Sequence, residues 1–509
     1  MTQQDTTIIV GAGIGGLAAA VRLGALGHRV TVMDSAGQVG GKMRTVGSPV
    51  GPVDAGPTVL TMKPVFEALF AAAGEALDDH VTLDPEPLLA RHWWPDGAQL
   101  DLFADQDASA AAIREMSGPQ SEQDYRRFAA EARRLFEAFE RPMLHNPTPS
   151  AVPMALHIMR DPGLIRLMAP LSTLAQRLAR SFRDPRLRQL YGRYATYVGG
   201  SPYQSPAILS LISHSEAAGV WRVRGGMNKL ASALADLARK QGADIRLNTH
   251  VNRIEVQGGR VSAVHTGDGR TPCARVVFNG DPRALTTGLL GNAVTAATPG
   301  QPLEARSLSA NVWTFAEAVD RDPGLVHHNV FFARNPRAEF DPIAAGSQPK
   351  DATIYVCAED RGTGQSPPET ERFEMILNAP ATPKTHAYPS EIDLCRQQTF
   401  PTLAQFGLTF RSSPPDRALT TAADFNRLFP ASGGALYGQS PHGMMAAFQR
   451  PTARTRVPGL FLVGGGAHPG AGIPMATLSA SHVAAAIGPA RTSTSTSHPT
   501  AMPGGMSTA

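Results

Sequence analysis

The sequence has few cysteines, and their spacing excludes several classes of site. Its 509 residues contain three, Cys273, Cys357 and Cys395, none of them at metal-ligand or CxxC spacing from another. A disulfide framework, a structural zinc site and a dithiol redox centre are therefore excluded. The pattern is typical of buried reduced thiols in a cytosolic protein, and no metal is expected.

Aromatic residues, charges and long apolar runs are also scarce. Aromatic side chains make up 6% and charged side chains 18% of the chain, and no zinc-finger or RNP-type pattern occurs, which argues against a nucleic-acid partner. No apolar run approaches the roughly 20 residues that span a bilayer, and the first residues lack the features of a signal peptide. With 42% apolar residues and a net charge of +4, we expect a globular protein with at most peripheral membrane contact.

The first 34 residues carry the clearest local pattern. Thr6–Val10 is a short apolar run typical of a buried parallel strand, and it ends at the glycine-rich segment GAGIGG, residues 11–16. Small and apolar residues at helical spacing follow over Leu17–Leu26, and Gly27 is a natural helix end. A second strand is predicted over Arg29–Met33, so the pattern indicates one βαβ unit.

The glycine-rich turn has the context of a dinucleotide-binding motif. It follows a strand and opens a helix, and Asp34 ends the next strand, which makes a purely structural turn a poor explanation. Gly11 permits the tight turn, Gly13 lets the backbone approach a pyrophosphate, and Gly16 lets the helix pack closely on the strand. The helix N-terminus would face the phosphates. Asp34 would accept hydrogen bonds from the adenosine ribose.

A second glycine segment favours a flavin over a nicotinamide cofactor. Residues 40–44 read GGKMR and residues 53–57 read VDAGP. Paired glycines and cations here extend the phosphate-facing surface beyond the first turn. The alternative is a solvated glycine loop with two ordinary surface cations, and for Lys42 alone that alternative is the simpler interpretation.

These segments resemble the bacterial carotenoid desaturases, relatives of phytoene desaturase within the flavin amine-oxidase superfamily. The resemblance spans residues 5 to about 488. Its most specific part is the C-terminal segment GGGAHPGAGIP, and the other matching segments are DAGPT, WRVRGGM and GGALYG, at residues 464–474, 54–58, 221–227 and 433–438. Within the family, residues 90–97 and 194–200 are similar to the hydroxyneurosporene (methoxyneurosporene) desaturases of purple photosynthetic bacteria.

The resemblance implies which residues hold FAD. Gly11, Gly13, Gly16 and Asp34 would bind its ADP half, and Val251 would contact the adenine through its backbone. Gly41, Lys42 and Arg44 would lie towards the pyrophosphate and flavin. The C-terminal segment would pass beside the flavin, with Gly466, Gly472, Ile473, Pro474 and Met475 as the binding residues. His468 stands where many flavoproteins carry an acidic residue, and we expect it to order a loop rather than transfer a proton.

The resemblance also implies an α/β fold in which a Rossmann-like FAD-binding domain is interleaved with an α+β substrate and membrane domain. The FAD-binding parts would be residues 1–75, 216–290 and 446–488. The substrate domain would comprise 76–215, mainly helical between residues 64 and 206, and 291–445, and residues 489–509 would form a disordered tail. Strands are predicted over Asp244–Leu247, Arg253–Val256, Val261–His265, Arg275–Phe278 and Gly459–Val463, with helices over Met227–Lys240 and after Pro474.

The implied reaction is desaturation of an acyclic carotenoid, with the C3–C4 bond of 1-hydroxy- or 1-methoxyneurosporene as the expected target and hydride transfer to flavin. No catalytic acid or base is identified, and a strong one is not required, because a cation beside a polyene is delocalised. Three alternatives stay open: a phytoene desaturase, an amine or protoporphyrinogen oxidase of the same fold, and a lipid-binding carrier without catalysis.

One basic and apolar stretch suggests a membrane face. Residues 155–193 contain eight arginines, at 160, 166, 177, 180, 183, 186, 188 and 193, against Asp161 and Asp184. A basic, apolar, helix-forming segment suits the surface of an anionic bilayer, but a helical cap with a solvated arginine face fits equally well. Because the implied substrate is lipid-soluble, we expect a cytoplasmic protein peripherally bound to the inner (intracytoplasmic) membrane.

Overall fold

The computed structural model describes residues 6–300, 306–381 and 389–490. The tail predicted over 489–509 therefore lies, from residue 491 onward, outside the described residues. None of the helices within the described ranges is long and apolar enough to cross a membrane.

The strands are short, and they fall into one parallel sheet, one large mixed sheet and four small ones. In the first half of the chain they are β1 (Thr6–Val10), β2 (Arg29–Met33), β3 (Thr45–Ser48), β4 (Gly51–Asp54), β5 (Leu83–Pro85), β6 (Leu88–Trp93), β7 (Gln99–Phe103), β8 (Trp221–Val223) and β9 (Asp244–Arg246). In the second half they are β10 (Arg253–Gln257), β11 (Arg260–Thr266), β12 (Gly269–Pro272), β13 (Arg275–Phe278), β14 (Ser309–Glu317), β15 (Val319–Arg321) and β16 (His328–Phe331). The last are β17 (Ile354–Ala358), β18 (Glu371–Ala379), β19 (Thr409–Phe410), β20 (Leu419–Thr420) and β21 (Leu460–Leu462).

The described residues form sixteen α-helices, half of them between residues 106 and 240. They are α1 (Ile14–Ala25), α2 (Lys63–Ala71), α3 (Gln106–Ser117), α4 (Pro119–Phe139), α5 (Ala151–Met159), α6 (Pro162–Met168), α7 (Leu174–Ser181) and α8 (Pro185–Gly192). The others are α9 (Ile212–Ala217), α10 (Asn228–Lys240), α11 (Arg283–Thr286), α12 (Pro336–Ala344), α13 (Pro389–Gln405), α14 (Ala422–Leu428), α15 (Ala446–Gln449) and α16 (Ile473–Ile487).

The parallel sheet draws its strands from the start, the middle and the end of the chain. Its order is β21-β13-β1-β2-β9, and Val10 lies level with Met33 on one side and Phe278 on the other. Helices α1 and α16 pack together on this sheet, because small residues such as Ala18 and Ala480 leave room for close helix contact. The carboxyl ends of these strands therefore meet at one edge.

The large sheet draws its strands from residues 76–215, the first insertion, and residues 291–445, the second insertion. Its order is β20-β14-β18-β17-β16-β6-β7. Strands β6 and β7 correct the expectation that residues 64–206 are mainly helical. Residues on both faces of β6 are buried, so the sequence there lacks the strict polar and apolar alternation by which a half-buried strand is recognised. One face of the sheet packs on α13, through residues such as Phe331, Phe373 and Leu403.

A buried ion pair joins α9 to the turn after α8. Glu216 accepts hydrogen bonds from the hydroxyls of Tyr194 and Tyr197 at 2.6 and 2.5 Å. The Arg193 guanidinium lies 3.8 Å from the same carboxylate, donates to the Tyr197 hydroxyl and faces both tyrosine rings. The cluster fixes the helices beside the large sheet.

Replacing Glu216 with alanine should strongly destabilise the protein. The change leaves Arg193 buried without its counter-charge, and removing one partner of a buried pair costs about 3–5 kcal/mol of unfolding free energy. Urea unfolding followed by circular dichroism measures this loss. The exposed Glu115→Ala change in α3 should stay within about 0.5 kcal/mol of the parent, and equal losses in the two variants would show that the cluster carries no special stability.

Candidate functional site

The turn after β1 forms the centre of the candidate site. Gly11 has a φ of +106°, which a residue with a side chain rarely adopts. Gly13 caps α1 in an extended conformation and contributes no side chain to the helix N-terminus. The paired segment lies alongside it, because Gly40 donates its N–H to Ala12 O at 2.9 Å.

The glycines of this turn have different surroundings. A Cβ atom on Gly16 would lie 2.1 Å from Gly11 O, and one on Gly15 would lie 2.7 Å from the Cα of Gly464. Both positions therefore require glycine for packing. A Cβ on Gly13 would meet the Asn279 amide at 3.0 Å but no other atom closer than 3.9 Å, so much of the space in front of Gly13 is free of protein.

Asp34 closes the turn from the neighbouring strand. Its two carboxylate oxygens accept the N–H groups of Ala12 and Ala36 at 2.6 and 2.8 Å. The chain after β9 lies beside it, since Thr249 donates to Asp34 O at 2.7 Å, and this brings Val251 to the same side of the site. The carboxylate keeps lone pairs that two further hydroxyl donors can reach.

Lys42 and Arg44 reach from the second glycine segment to the second insertion. Lys42 bonds to Leu436 O and lies 5.3 Å from the centre of the Phe429 ring. Lys42 is exposed, yet desolvation by the surrounding protein atoms lowers its pKa to about 8. Arg44 donates to Thr420 Oγ1 at 2.8 Å. Both cations are therefore tied to residues of the second insertion.

The C-terminal segment forms the opposite wall. Gly464 donates its N–H to Ser479 Oγ at 2.8 Å, and Gly472 caps α16, whose second position is Pro474. Helix α16 therefore offers unpaired N–H groups near Ile473 and Met475. A Cβ on Gly466 would lie 2.5 Å from the Pro282 ring, so this glycine is required for packing.

His468 ties this segment to the first insertion. Its Nε2 lies 2.9 Å from Asn146 O, a residue 322 positions away, and its ring stacks on His482. Burial lowers its pKa, so the ring is neutral near pH 7. The expected loop-ordering hydrogen bond is present.

Several side chains of the site carried no signal in the sequence. Arg450 donates to the carbonyl oxygens of Gly465, Tyr437 and Gln439 at 2.8–3.0 Å and so fixes the loops beside the C-terminal segment. The Asn279 side chain lies against five of the glycines and donates to Gly11 O at 3.2 Å. A single arginine or asparagine forms no sequence motif. Asn279 could have been noticed only as the residue that follows strand β13.

Several acids and histidines in and around the large sheet are shifted towards their neutral forms. Burial raises the pKa of Glu359 to about 8 and that of Glu374 well above its ordinary range. Burial likewise lowers the pKa of His92 to about 3 and that of His327 to about 4. These groups are therefore neutral near pH 7, which suits an uncharged ligand better than an ammonium or a carboxylate.

The arginine-rich stretch does not form one solvated or membrane-facing surface. Arg177 is buried and pairs with Glu131 at 2.9 Å, and Arg193 lies in the Glu216 cluster. The expectation of a uniform basic face is wrong for these two, because an apolar helix pattern does not distinguish a buried arginine from a solvated one. The exposed members are Arg160, Arg166, Arg180 and Arg183.

An apolar surface stands out instead. We call it the α5–α6 patch, and it consists of Val152, Leu156, Met159, Ile165 and Leu171, which are 71%, 51%, 61%, 46% and 94% exposed. Five of the eleven exposed large apolar side chains among the described residues thus lie within 20 positions. Beneath the patch, partly buried apolar residues surround Leu135, Phe139 and Met154, and they include Met143, Ile208, Leu211 and Phe448.

The site fits an extended flavin dinucleotide. One continuous edge of the parallel sheet is lined by the Asp34 carboxylate, the N-termini of α1 and α16 and the glycine segments at 11–16, 40–41 and 464–472. We call this edge the cofactor cleft. Such an edge, at the carboxyl ends of parallel strands, is where dinucleotides bind. The open space before Gly13 and the unpaired N-terminus of α1 suit its phosphates.

Comparisons with known proteins agree with this geometry. The sequence profile of the family described as flavin containing amine oxidoreductase matches residues 14–340. The hydroxyneurosporene desaturase of Cereibacter sphaeroides is 51% identical over 94% of this chain and 97% of its own. That of Rhodobacter capsulatus is 48% identical over 96% and 98%.

The fold recurs in a solved structure, cyclohexylamine oxidase from Brevibacterium oxydans. It superposes with a TM-score of 0.55 at 17% identity, covering 95% of this chain and 98% of its own. The solved structure confirms the predicted fold class, and the family match and the relatives confirm the predicted family and FAD cofactor. The chain therefore belongs to the flavin containing amine oxidoreductase family, in its carotenoid desaturase branch, and is an FAD-dependent oxidoreductase.

Proposed function

We propose that this enzyme desaturates the C3–C4 bond of an acyclic carotenoid with a 1-hydroxy or 1-methoxy end, as a step of carotenoid biosynthesis. The observation that carries the proposal is the match of about half of all positions, over nearly the full chain, to two proteins named hydroxyneurosporene desaturase. The neutral acids and histidines around the large sheet support it, since a carotenoid offers no charge to pair.

The reaction breaks one C–H bond on each of two neighbouring carbons and forms a double bond, releasing a hydride and a proton. Bound FAD supplies the chemistry of hydride acceptance. The N-terminus of α1 would hold its phosphates and the N-terminus of α16 would lie beside its flavin ring, while Arg450 fixes the adjoining loops. The buried sheet excludes water, and the polyene beside the reacting carbon stabilises the cation from which the proton leaves.

Gly13→Val should abolish FAD binding. The side chain would fill the space before the turn, where the pyrophosphate is expected, while the extended backbone of Gly13 tolerates a valine. The flavin released from purified protein by heat, measured by absorbance and compared with protein concentration, gives the occupancy.

The matched control is Gly47→Val. A Cβ there meets no atom within 4 Å, and this variant should keep its flavin. Circular dichroism of both variants separates lost binding from lost folding. A folded Gly13→Val protein with a full flavin complement would mean that the nucleotide site has been misplaced.

The substrate is tested by offering 1-hydroxyneurosporene and phytoene separately to FAD-loaded enzyme on liposomes. A site with hydrogen-bonding groups for the end oxygen discriminates against substrates without it, and the longer polyene stabilises the cation better than the triene of phytoene. We expect kcat/KM to be at least about a hundredfold higher for the hydroxylated carotenoid, measured by chromatography of the pigments. Rapid conversion of phytoene alone would replace this proposal with a phytoene desaturase.

The proposed function extends to the surface of an anionic membrane, with the α5–α6 patch as the contact face and the cytoplasmic side of the inner (intracytoplasmic) membrane as the location. Exposed Arg160 and Arg166 lie within the same two helices and their connection, and Asp161 is neutralised by Arg134 at 2.7 Å. An apolar surface rimmed by cations suits anionic lipids. Partly buried apolar residues lie beneath the patch, and side chains of this kind suit an apolar polyene.

The triple change Leu156→Ser, Met159→Ser and Leu171→Ser should remove most binding to anionic liposomes in a sedimentation assay. Each fully buried apolar side chain contributes about 1.5–3 kcal/mol. Arg160→Gln with Arg166→Gln should lower mainly the salt-sensitive part, by about 1 kcal/mol for each arginine.

Leu289→Ser with Leu394→Ser is the control, because both leucines are exposed in other parts of the fold. This variant should bind liposomes like the parent. If the control loses as much binding as the triple variant, the contact face lies elsewhere.

A further inference from the structure

The inner face of the large sheet is defined by its strand register. His328 lies opposite Cys357, and Val330 lies opposite Tyr355. Tyr355 lies opposite Ile376 on the next strand. Paired residues of an antiparallel sheet share a face, and this face is the one turned away from α13.

Tyr355 holds a hydrogen-bonded position on this face. Its hydroxyl lies 2.7 Å from Thr58 Oγ1 and 2.7 Å from Nδ1 of His328, and its ring stacks on that of His328 at 6.0 Å. Tyr355 and Thr58 are partly exposed, whereas His328 is buried. The three side chains, the Thr58–Tyr355–His328 array, therefore present two hydroxyl groups on an inner surface.

The array adjoins the cofactor cleft through backbone contacts. The Cβ position of Gly41 lies 3.0 Å from the Cα of Gly13, and that of Gly56 lies 1.9 Å from Lys42 O. Thr58 follows Gly56 by two residues. Close backbone contacts thus link the turn before α1 to the segment that ends at Thr58. The Thr58 hydroxyl in turn is hydrogen-bonded to Tyr355.

Other polar groups of this face are less suited to meet a ligand. Cys357 and Glu374 are 2% and 0% exposed. Thr353 and Asn378 are partly exposed but donate to Glu339, each at 2.8 Å. Tyr355 combines partial exposure, a central place on the sheet and a partner in the segment beside the cleft.

The proposed substrate has one polar atom close to its reacting carbons. Its oxygen on C1 is separated from C3 by three covalent bonds, so a group that binds this oxygen has to lie next to the flavin. Resting on the proposed function, we infer that the Thr58–Tyr355–His328 array binds the C1 oxygen of the carotenoid and thereby determines specificity for the hydroxylated or methoxylated end.

The array is better suited to bind the C1 oxygen than to remove a proton from the substrate. Burial raises the pKa of Tyr355 well above its ordinary value and lowers that of His328 far below its own, so all three members stay neutral. Each hydroxyl can both donate and accept. A methoxy oxygen only accepts, and the rotation of the Thr58 hydroxyl supplies a donor for it while His328 and Tyr355 stay bonded.

The test compares 1-hydroxyneurosporene with neurosporene, which has the same polyene without the oxygen, on FAD-loaded enzyme bound to liposomes. Tyr355→Phe removes the hydroxyl and keeps the ring. We expect the ratio of kcat/KM for the two substrates to fall about tenfold, the effect of one neutral hydrogen bond, because the reaction of the hydroxylated substrate slows while that of neurosporene does not. Thr58→Val, close in shape, should lower the same ratio.

Tyr203→Phe is the control, since Tyr203 packs on Phe340, away from Thr58, and it should leave the ratio unchanged. A parent enzyme that does not convert 1-hydroxyneurosporene would contradict the proposed function itself. A parent that prefers the hydroxylated substrate, with the ratio kept in both Tyr355→Phe and Thr58→Val, would overturn the array alone. Where Tyr355→Phe fails to bind FAD, Thr58→Val decides by the same ratio.

Discussion

The close backbone contact between glycine segments from distant parts of the chain is the constraint on which the rest of the structure depends. Gly15 approaches Gly464 and Gly13 approaches Gly41, at distances that leave little or no space for a Cβ atom. Asn279 lies between these segments and bonds to Gly11 O. Because the contact between Gly15 and Gly464 joins residues more than 400 positions apart, it requires that both insertions leave this edge of the parallel sheet free.

That constraint also explains which parts of the fold the sequence could reveal. The first βαβ unit was predictable because its glycines, strands and acidic residue are local, and β1 and β2 have the bounds expected from their apolar runs. Strand β6 was missed because both of its faces are buried. Helix and strand preferences are local, whereas two-sided burial is decided by the neighbouring strands of the completed sheet.

The residues of the candidate site likewise divide into those that sequence spacing reveals and those that it does not. The glycine motifs and Asp34 could be found from spacing, and their individual contacts with FAD stay predictions. Arg450 and Tyr355 could not be found, because their partners are distant in sequence or are backbone atoms. Arg177 was assigned to a solvated or lipid-facing surface, but it pairs with Glu131, 46 residues earlier. A charge in an amphipathic stretch is therefore weak evidence of exposure unless its partner is known.

The cost of desolvating charged groups explains why the polar interior suits an uncharged substrate. The desolvation of a carboxylate or an imidazolium in this interior outweighs the favourable interactions with its neighbours, so Glu374 and His328 are neutral. Hydrogen bonding between neutral groups, as between Tyr355 and Thr58, avoids that cost and still gives direction to a contact. An apolar polyene with one oxygen at its end needs this combination, since apolar walls bind its length and a single directed contact fixes which carbon lies at the flavin.

The position of the array also suggests how the proposed substrate would be oriented. The array lies beside the cofactor cleft, so the oxygenated end would be innermost and the remaining polyene would extend away from the flavin. The α5–α6 patch and the apolar residues beneath it lie on the side of the C-terminal segment, to which the first insertion is tied by the hydrogen bond between His468 and Asn146 O. With the patch as the proposed membrane contact, the polar end of an entering carotenoid would lose its hydration before it met a hydroxyl partner. Because burying an unpaired hydroxyl is costly, the array would favour binding of the oxygenated carotenoid in particular.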